Sequence, residues 1–238
     1  MIKTINLTKK YKDVVAVDGL NLEIKEGELF SLLGVNGAGK TTTVKMLATL
    51  SKPTDGNAYV GGFDVDKDVY EVKKIISISP QETAVASNLT VKENLEFICG
   101  IYGIDKNATA QKISAICDEL NLDEVLNKKA SKLSGGYKRR LSIAMSLICE
   151  PKVLFLDEPT LGLDVISRAE LWSYIKKIKE RLTIVLTTHY MEEAEKLSDR
   201  VGIMQKGKLI AVGSPEEIKT QAGVDNFEDA FIKLVKGE

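Results

Sequence analysis

Residues 34–42 read GVNGAGKTT, which matches the pattern G-x-x-x-x-G-K-[ST] at every fixed position. The apolar run LFSLL (29–33) precedes it and the helix-competent TTTVKMLATL (41–50) follows, so the sequence predicts a strand, a tight loop and a helix in that order. Glycines let such a loop turn its amide groups into one cavity, and the start of the next helix favours an anion. The predicted phosphate-binding residues are Gly34, Asn36, Gly37, Ala38, Gly39, Lys40, Thr41 and Thr42.

Three side chains of this loop have separate predicted tasks. We expect Lys40 to reach the β and γ phosphates of a nucleotide, the Thr41 hydroxyl to coordinate Mg²⁺, and Thr42 to donate to a nearer phosphate. A chance glycine-rich turn is the alternative, and the strand and helix patterns on either side argue against it.

Two apolar runs in the second half of the chain each end in polar residues. VLFLDEPT (153–160) places Asp157 and Glu158 at the end of a predicted strand. Asp157 is expected to hold the metal through water and Glu158 to polarise the attacking water, although a solvated acidic strand end is the alternative reading. LTIVLTT (182–188) is the strand expected beside it, and His189, the only histidine, follows directly. We expect His189 to donate to the γ-phosphate and orient water, whereas a lone structural histidine is the alternative.

Composition indicates an ordinary soluble protein. The chain has 238 residues, 44% of them hydrophobic and 28% charged, with a formal net charge of −1, which gives no support for a nucleic-acid partner. Cys99, Cys117 and Cys149 match no metal-ligand spacing and indicate a reducing cytosol. The N-terminus lacks a signal-peptide core and no run reaches about 18 apolar residues. We therefore expect action at a membrane, if any, to require a partner.

The hydrophobic period changes along the chain and predicts an α/β protein in one domain. Residues 1–80 are rich in alternating strand patterns, and residues 82–150 form a mainly helical block that includes the capping-box pattern of Thr90 and Glu93. Residues 151–238 return to buried strands separated by the helix SRAELWSYIKKIKER, with a hairpin predicted at Lys206 and Gly207. KKIISISPQ (73–81) is predicted to be a single strand that ends at Pro80.

A further motif gives the chain a recognisable family pattern. LSGGYKRRLSIAMSL (133–147) lies just before PKVLFLDEPTLGLD (151–164), and with the loop at 34–42 the sequence resembles the nucleotide-binding subunit of ATP-binding-cassette (ABC) transporters over nearly its whole length. The resemblance is strongest to the branch that exports drugs, lipids or polysaccharides. It implies a P-loop NTPase fold with a mostly parallel core sheet, an N-terminal antiparallel β-subdomain and an inserted helical subdomain.

The resemblance also implies roles for individual residues. Tyr11 corresponds to the aromatic that stacks on adenine, and Gln81 to the glutamine that contacts the metal and water. Ser134, Gly135 and Gly136 correspond to the signature that caps the γ-phosphate bound to the opposite subunit, and Asp164 to the aspartate that crosses the dimer interface. ATP and Mg²⁺ are the implied cofactors, and Glu158, His189, Lys40 and Gln81 the implied catalytic residues. Tyr137 departs from the family, which usually has glutamine there.

The same resemblance implies partners. The chain is expected to form a homodimer or pseudo-dimer around two ATP molecules and to power export through a separate membrane permease. It would then lie at the cytoplasmic face of the cell membrane without binding nucleic acid. A soluble mechanical ATPase acting on DNA or ribosomes is the alternative. A P-loop kinase or small GTPase is disfavoured by the LSGG signature, the long helical insertion and the lack of a guanine motif.

Overall fold

The computed structural model describes residues 1–237, which fold into two β-sheets and their surrounding helices. The first sheet is antiparallel in the order β2-β1-β4-β5, and the second has the order β10-β9-β3-β8-β7-β6. In the second sheet β6, β7, β8, β3 and β9 run parallel and only β10 pairs antiparallel. The strands are β1 (Ile2–Tyr11), β2 (Val14–Ile24), β3 (Leu29–Leu33), β4 (Asp55–Val60), β5 (Phe63–Asp64), β6 (Ile76–Ser79), β7 (Val153–Asp157), β8 (Thr183–Thr188), β9 (Arg200–Gln205) and β10 (Lys208–Gly213).

The helices lie between and around these strands, and the predicted α/β fold class with an antiparallel N-terminal sheet and a mostly parallel core is confirmed. The α-helices are α1 (Lys40–Leu47), α2 (Val69–Ile75), α3 (Val91–Ile101), α4 (Lys106–Glu119), α5 (Gly135–Leu147), α6 (Val165–Ile178), α7 (Met191–Leu197), α8 (Pro215–Ala222) and α9 (Phe227–Lys236).

Strand β7 shows why its sequence is apolar without alternation. Leu154 and Leu156 belong to the apolar cluster under the helical block, whereas Val153 and Phe155 belong to the cluster under the antiparallel sheet. Successive side chains of a strand point to opposite faces, so a strand covered on both faces must be apolar throughout. The two clusters therefore pack against both faces of β7, which ends at Asp157.

The helical block packs on the core sheet through α3, α4 and α5. Leu95, Cys117 and Leu141, one from each helix, are fully buried in the same cluster as Leu154. Thr90 begins α3 with the predicted capping box, since its side chain accepts from the Glu93 amide and Glu93 accepts from the Thr90 amide. The division of the chain at residues 80 and 150 stays a prediction.

The structure differs from the prediction before β6. Residues 73–75 do not continue the strand but end helix α2, so KKIISISPQ is not a single strand. Val72 is buried in the cluster under the antiparallel sheet, and this contact fixes a short helix that the sequence pattern did not indicate. The predicted hairpin is confirmed: Lys206 and Gly207 both have positive φ between β9 and β10, as a two-residue turn requires.

Cys99 and Cys117 are buried, and Cys149 is half-buried. None of the helices within residues 1–237 combines the length and apolar character needed to cross a lipid bilayer.

Candidate active site

Most of the predicted site residues line one cavity of about 840 Å³ at the carboxyl ends of β3, β7 and β8. Ligands of parallel α/β sheets gather at this edge. A second cavity of about 660 Å³ lies where β7 and β8 begin and contains none of the predicted residues. The predicted residues that line the first cavity are Tyr11, Asn36, Gly37, Ala38, Gly39, Lys40, Thr41, Thr42, Gln81, Glu158 and His189.

The loop before α1 requires glycine at two close approaches. Gly39 has a φ of 107°, and a Cβ there would lie 2.5 Å from the Ala16 carbonyl oxygen. A Cβ on Gly34 would lie 2.4 Å from the Met204 carbonyl oxygen. A larger residue would therefore push the loop away from the strands that hold it. The loop conformation that the sequence pattern predicts is supported by β2 and β9 as well as by its own glycines.

Lys40 is buried at the first position of α1. Its Nζ donates to the carbonyl oxygens of Gly34 at 2.7 Å and Val35 at 3.2 Å, and lies 3.7 Å from Glu158 Oε1. Burial lowers the pKa of Lys40, and the charges of Glu158 and Asp157 oppose that effect. The ammonium group therefore stands between the loop and the carboxylates, where it can attract phosphate oxygens.

Asp157 is held by two hydroxyl groups. The Thr41 hydroxyl donates to Asp157 Oδ1 at 3.0 Å, and the Thr187 hydroxyl makes a short hydrogen bond to the same oxygen. No group of three or more His, Cys, Asp or Glu side chains within residues 1–237 could hold a metal on its own. Mg²⁺ commonly takes only one or two protein oxygens and completes its shell with phosphates and water. The hydroxyl and carboxylate pair of Thr41 and Asp157 fits that requirement.

Glu158 and His189 face each other across the ends of β7 and β8. Glu158 adopts the left-handed conformation with φ of 46°, and its amide donates to the Thr187 carbonyl at 3.0 Å. His189 Nδ1 lies 3.2 Å from Glu158 Oε2 without forming a hydrogen bond to it, and Nδ1 has no hydrogen-bond partner among the described residues. A left-handed non-glycine residue is uncommon, and here it coincides with the proposed base.

Tyr11 and Gln81 lie at the edges of the cavity. The Tyr11 side chain is 46% exposed, with Lys9 Nζ 5.0 Å from the ring centroid. Gln81 is exposed and follows Pro80 directly after β6. An accessible ring at the mouth suits stacking on a base.

Gly34 and Asp157 are outside the cavity lining but accept hydrogen bonds from Lys40 and Thr41, which belong to it, and four more predicted residues also lie outside the lining. Ser134 begins α5, with its hydroxyl 3.4 Å from the Tyr137 amide, and Asp164 begins α6 by accepting from the Ser167 amide at 2.9 Å. The Ser167 amide and hydroxyl lower the pKa of Asp164. A Cβ on Gly136 would lie 2.9 Å from Ser167 Oγ, so the starts of α5 and α6 are neighbours. The adjacent starts of α5 and α6 thus carry Ser134, Gly135, Gly136 and Asp164. These residues are separate from the cavity lining formed by the described residues.

Sequence reasoning missed the importance of Arg139. This residue of α5 is buried, and its guanidinium donates to four main-chain carbonyls around the site: Pro159 at 2.7 Å, Asp157 at 2.9 Å, Pro80 at 2.5 Å and Gln81 at 3.4 Å. Burial lowers the pKa of Arg139 to about 10, against the opposing charges of Asp157 and Glu193. The group remains charged at neutral pH. The sequence shows three consecutive basic residues at 138–140, but it does not show that Arg139 and Arg140 are buried.

Glu193 was missed as well. It is fully buried in α7, and its Oε1 accepts from the Thr160 hydroxyl at 2.8 Å and from Trp172 Nε1 at 3.0 Å. Burial raises the pKa of Glu193, outweighing these hydrogen bonds. Glu193 shares one buried helix face with Ala194 and Leu197, and this helical spacing is the sequence pattern that could have indicated its burial.

The sequence profile of the family described as "ABC transporter" matches residues 17–161. The chain belongs to the ABC transporter family. Two ABC relatives align over almost all of it. The probable multidrug ABC transporter ATP-binding protein YbhF of Escherichia coli (strain K12) is 41% identical over 99% of this chain and 42% of its own length. The linearmycin resistance ATP-binding protein LnrL of Bacillus subtilis (strain 168) is 38% identical over 95% of this chain and 73% of its own length.

A solved ABC cassette shares the fold. The dimeric post-hydrolysis state of the ATP-binding cassette MJ0796, bound to ADP and Pi, superposes with a TM-score of 0.81 at 28% identity, covering 90% of this chain and 98% of that one. The chain spans about two fifths of the length of YbhF, the first curated relative that it matches. Membership of the ABC family and the cassette fold are thus established, as the signature at 133–136 indicated.

Proposed function

We propose that this chain hydrolyses ATP as one cassette of an ABC exporter and thereby powers transport through a separate membrane permease. The observation that carries the proposal is the convergence of Lys40, Glu158 and His189 in one cavity, with Glu158 within 4 Å of both other side chains. The relatives named for multidrug transport and linearmycin resistance favour export. They support this reading over a soluble ATPase acting on DNA or ribosomes.

The residues of the cavity divide the work of phosphoryl transfer to water. The loop amides from Gly37 to Lys40 and the start of α1 bind the phosphates, and the Lys40 ammonium neutralises their charge. Glu158 accepts the proton of the attacking water, and His189 donates to the γ-phosphate and orients that water. The Tyr11 ring stacks on adenine.

Thr41 and Asp157, with Gln81 from across the cavity, would hold Mg²⁺. An Mg²⁺ ion held by these residues would supply positive charge that offsets the negative charge of the phosphates. The Thr41 hydroxyl oxygen lies 3.0 Å from Asp157 Oδ1, so the fold itself places the two oxygens close enough to bind the same ion. Thr42 completes the phosphate contacts.

The place of Ser134, Gly135, Gly136 and Asp164 outside the cavity lining supports a dimer. Two copies facing head to tail would bring the signature of each chain to the γ-phosphate held by the other. ATP would then stabilise the closed dimer, and its hydrolysis would release the two faces. The dimeric form of MJ0796 supports this arrangement.

The permease is the expected membrane partner, which places the chain on the cytoplasmic face of the membrane. Gln81 is exposed at the boundary between the core sheet and the helical block, where movement of the block would reach a docked partner. The relatives' description as ATP-binding proteins of transporters supports a division of labour between this chain and a spanning subunit.

The test compares Glu158→Gln with Glu192→Gln in steady-state ATPase assays of the purified chain. Glu192 is an exposed carboxylate paired with Lys196 and lies three residues after His189 in the chain, so it controls for the loss of one negative charge. We expect Glu158→Gln to lower kcat about 100-fold or more, because a general base is removed, and Glu192→Gln to retain activity. Equal activity of wild type and Glu158→Gln would refute the assignment.

A further inference from the structure

Arg139 connects the signature helix to the two loops that carry Gln81 and Glu158. It lies one turn into α5, five residues after Ser134, and only 4% of it is exposed. Its guanidinium makes no side-chain ion pair within residues 1–237 and instead donates to main-chain carbonyls. A buried charge is costly unless its donors are satisfied, so these contacts constrain where both loops lie relative to α5.

The contacts to the loop after β7 surround Glu158. Arg139 Nη2 donates to the carbonyl of Asp157, and Nε donates to the carbonyl of Pro159. These two residues flank Glu158, whose φ of 46° lies in the left-handed region. Such a conformation persists only where the surroundings hold it. One planar group therefore holds the peptide that precedes this strained residue and the peptide that follows Pro159.

The contacts to the loop after β6 extend the same link. Nη1 of Arg139 donates to the carbonyls of Pro80 and Gln81, the second more weakly at 3.4 Å. The fork of a guanidinium can serve two loops at once, which the single ammonium of a lysine cannot do in the same geometry. Displacement of α5 would pull on the backbone next to Gln81 and on the backbone around Glu158 together.

We propose that Arg139 is a positioning residue for ATP hydrolysis, which holds Glu158 in its reactive conformation only when the signature helix is seated against the core sheet. The proposal rests on the proposed function, since it requires Glu158 to be the base. It makes hydrolysis depend on the position of α5 within the same chain, in addition to the signature contact supplied by a second copy.

Arg140 is the matched control because it is the next residue of the same helix and is also buried. Its guanidinium donates to the carbonyls of Leu120 and Asn121 and to the Tyr174 hydroxyl, all at 3.3 Å, and these groups belong to neither loop of the site. Substitution of Arg140 therefore has a packing cost similar to that of substituting Arg139, but it removes no hydrogen bond to the loop that carries Glu158.

The experiment measures kcat, KM for MgATP and melting temperature for Arg139→Lys, Arg139→Gln and Arg140→Lys. We expect both Arg139 variants to lose about tenfold or more in kcat, with KM changed less than about threefold, because displacement of a reacting group affects chemistry more than binding. Arg140→Lys should keep kcat even if its melting temperature falls. Retention of kcat by Arg139→Lys, or an equal loss in Arg140→Lys, would overturn the proposal.

A double-mutant cycle separates this inference from the proposed function. In the Glu158→Gln background, Arg139→Lys should cause no further loss in single-turnover ATP hydrolysis, since both changes act through one group. A full additional loss would show that Arg139 acts elsewhere. If Glu158→Gln itself hydrolyses ATP at the wild-type rate, the proposed function fails. If Glu158→Gln is inactive and Arg139→Lys fully active, only the role of Arg139 fails.

Discussion

At the scale of single residues, Glu193 is a buried carboxyl bonded to Thr160, which follows the candidate base Glu158 by two residues. Its Oε1 accepts two hydrogen bonds, whereas Oε2 has no partner among the described residues. Because burial raises its pKa, the native protein takes up the proton more readily than the unfolded chain, whose carboxyl has a pKa near 4.5. Between the unfolded and native pKa values the folded state binds more protons, so the free energy of unfolding falls as pH rises through that window.

Glu193→Gln should therefore make the chain more stable near pH 7, by an amount on the order of 1 kcal/mol. The amide oxygen can still accept from Thr160 and Trp172, and the charge is gone. Urea unfolding of both proteins between pH 5 and 8 measures the difference, which should grow with pH. Glu192→Gln is the control, since Lys196 lowers the pKa of that exposed carboxyl and its substitution should not stabilise. A difference that is constant with pH would contradict the prediction.

At the scale of elements, α3 and α5 are each capped at the N-terminus by a hydroxyl residue, and the two caps differ in their hydrogen bonds. The Thr90 hydroxyl accepts from the Glu93 amide at 3.1 Å and the Thr90 amide donates back to Glu93 at 2.7 Å. The Ser134 hydroxyl lies 3.4 Å from its amide partner and is exposed. The first arrangement stabilises a helix, whereas the second leaves the serine available to a ligand.

Thr90→Ala should thus lower the free energy of unfolding by about 1 kcal/mol without changing kcat, and Ser134→Ala should cost about 0.5 kcal/mol or less. Ser134→Ala should nevertheless reduce ATPase activity, because its hydroxyl is proposed to contact the γ-phosphate in the partner. Chemical denaturation and ATPase assays on the same preparations compare the two. If the activity of Ser134→Ala fell only in proportion to its stability, the serine would be a helix cap and no more.

Elements with strong local patterns were predictable, and those fixed by tertiary contact were not. The strand, loop and helix from Leu29 to Leu47 could be predicted because the apolar run and the spacing of the glycines are compatible with only this order of elements. Helix α2 is short and has the β-branched residue Val69, so its sequence shows neither a clear helical nor a clear strand periodicity. Burial of Val72 favours the helix. Propensity is a weak prior that such contacts override.

The candidate site divides in the same way. Motif residues that line the cavity could be predicted because the motif itself states their spacing. Arg139 could not, because its partners are main-chain carbonyls as far as 59 residues away and carry no side-chain signature. The burial of Glu193 is easily missed because it lies in a run of acidic residues, and the structure shows that it is on the buried face of α7.

At the scale of the whole molecule, α6 begins with an unusually exposed apolar pair. Val165 is 72% exposed and Ile166 is 73% exposed, directly after Asp164. Single exposed apolar residues are common, but two together beside a predicted interface aspartate indicate a surface that another chain covers. The proposed head-to-tail dimer would bury them.

Glu158→Gln in MgATP should therefore elute as a dimer in size-exclusion chromatography with light scattering, because hydrolysis no longer releases the faces. Adding Ile166→Glu should return it to a monomer while leaving ATP binding intact, since burial of a charge is costly. Ile232→Glu, on the exposed side of α9, is the control and should leave the dimer unchanged. A monomer of Glu158→Gln under saturating MgATP would argue against the dimer.

Trp172 gives this molecule an optical probe that needs no label. It is the only tryptophan in the chain, and its indole N–H is bound to Glu193 while the Arg168 and Lys196 cations lie 5.5 and 5.4 Å from the ring centroid. Indole emission responds to nearby charge and to loss of such a hydrogen bond, so its intensity and colour report on the contact between α6 and α7. Rapid-mixing fluorimetry of the native chain can therefore detect movement of α6 against α7 after MgATP is added, with a single fluorophore as the reporter.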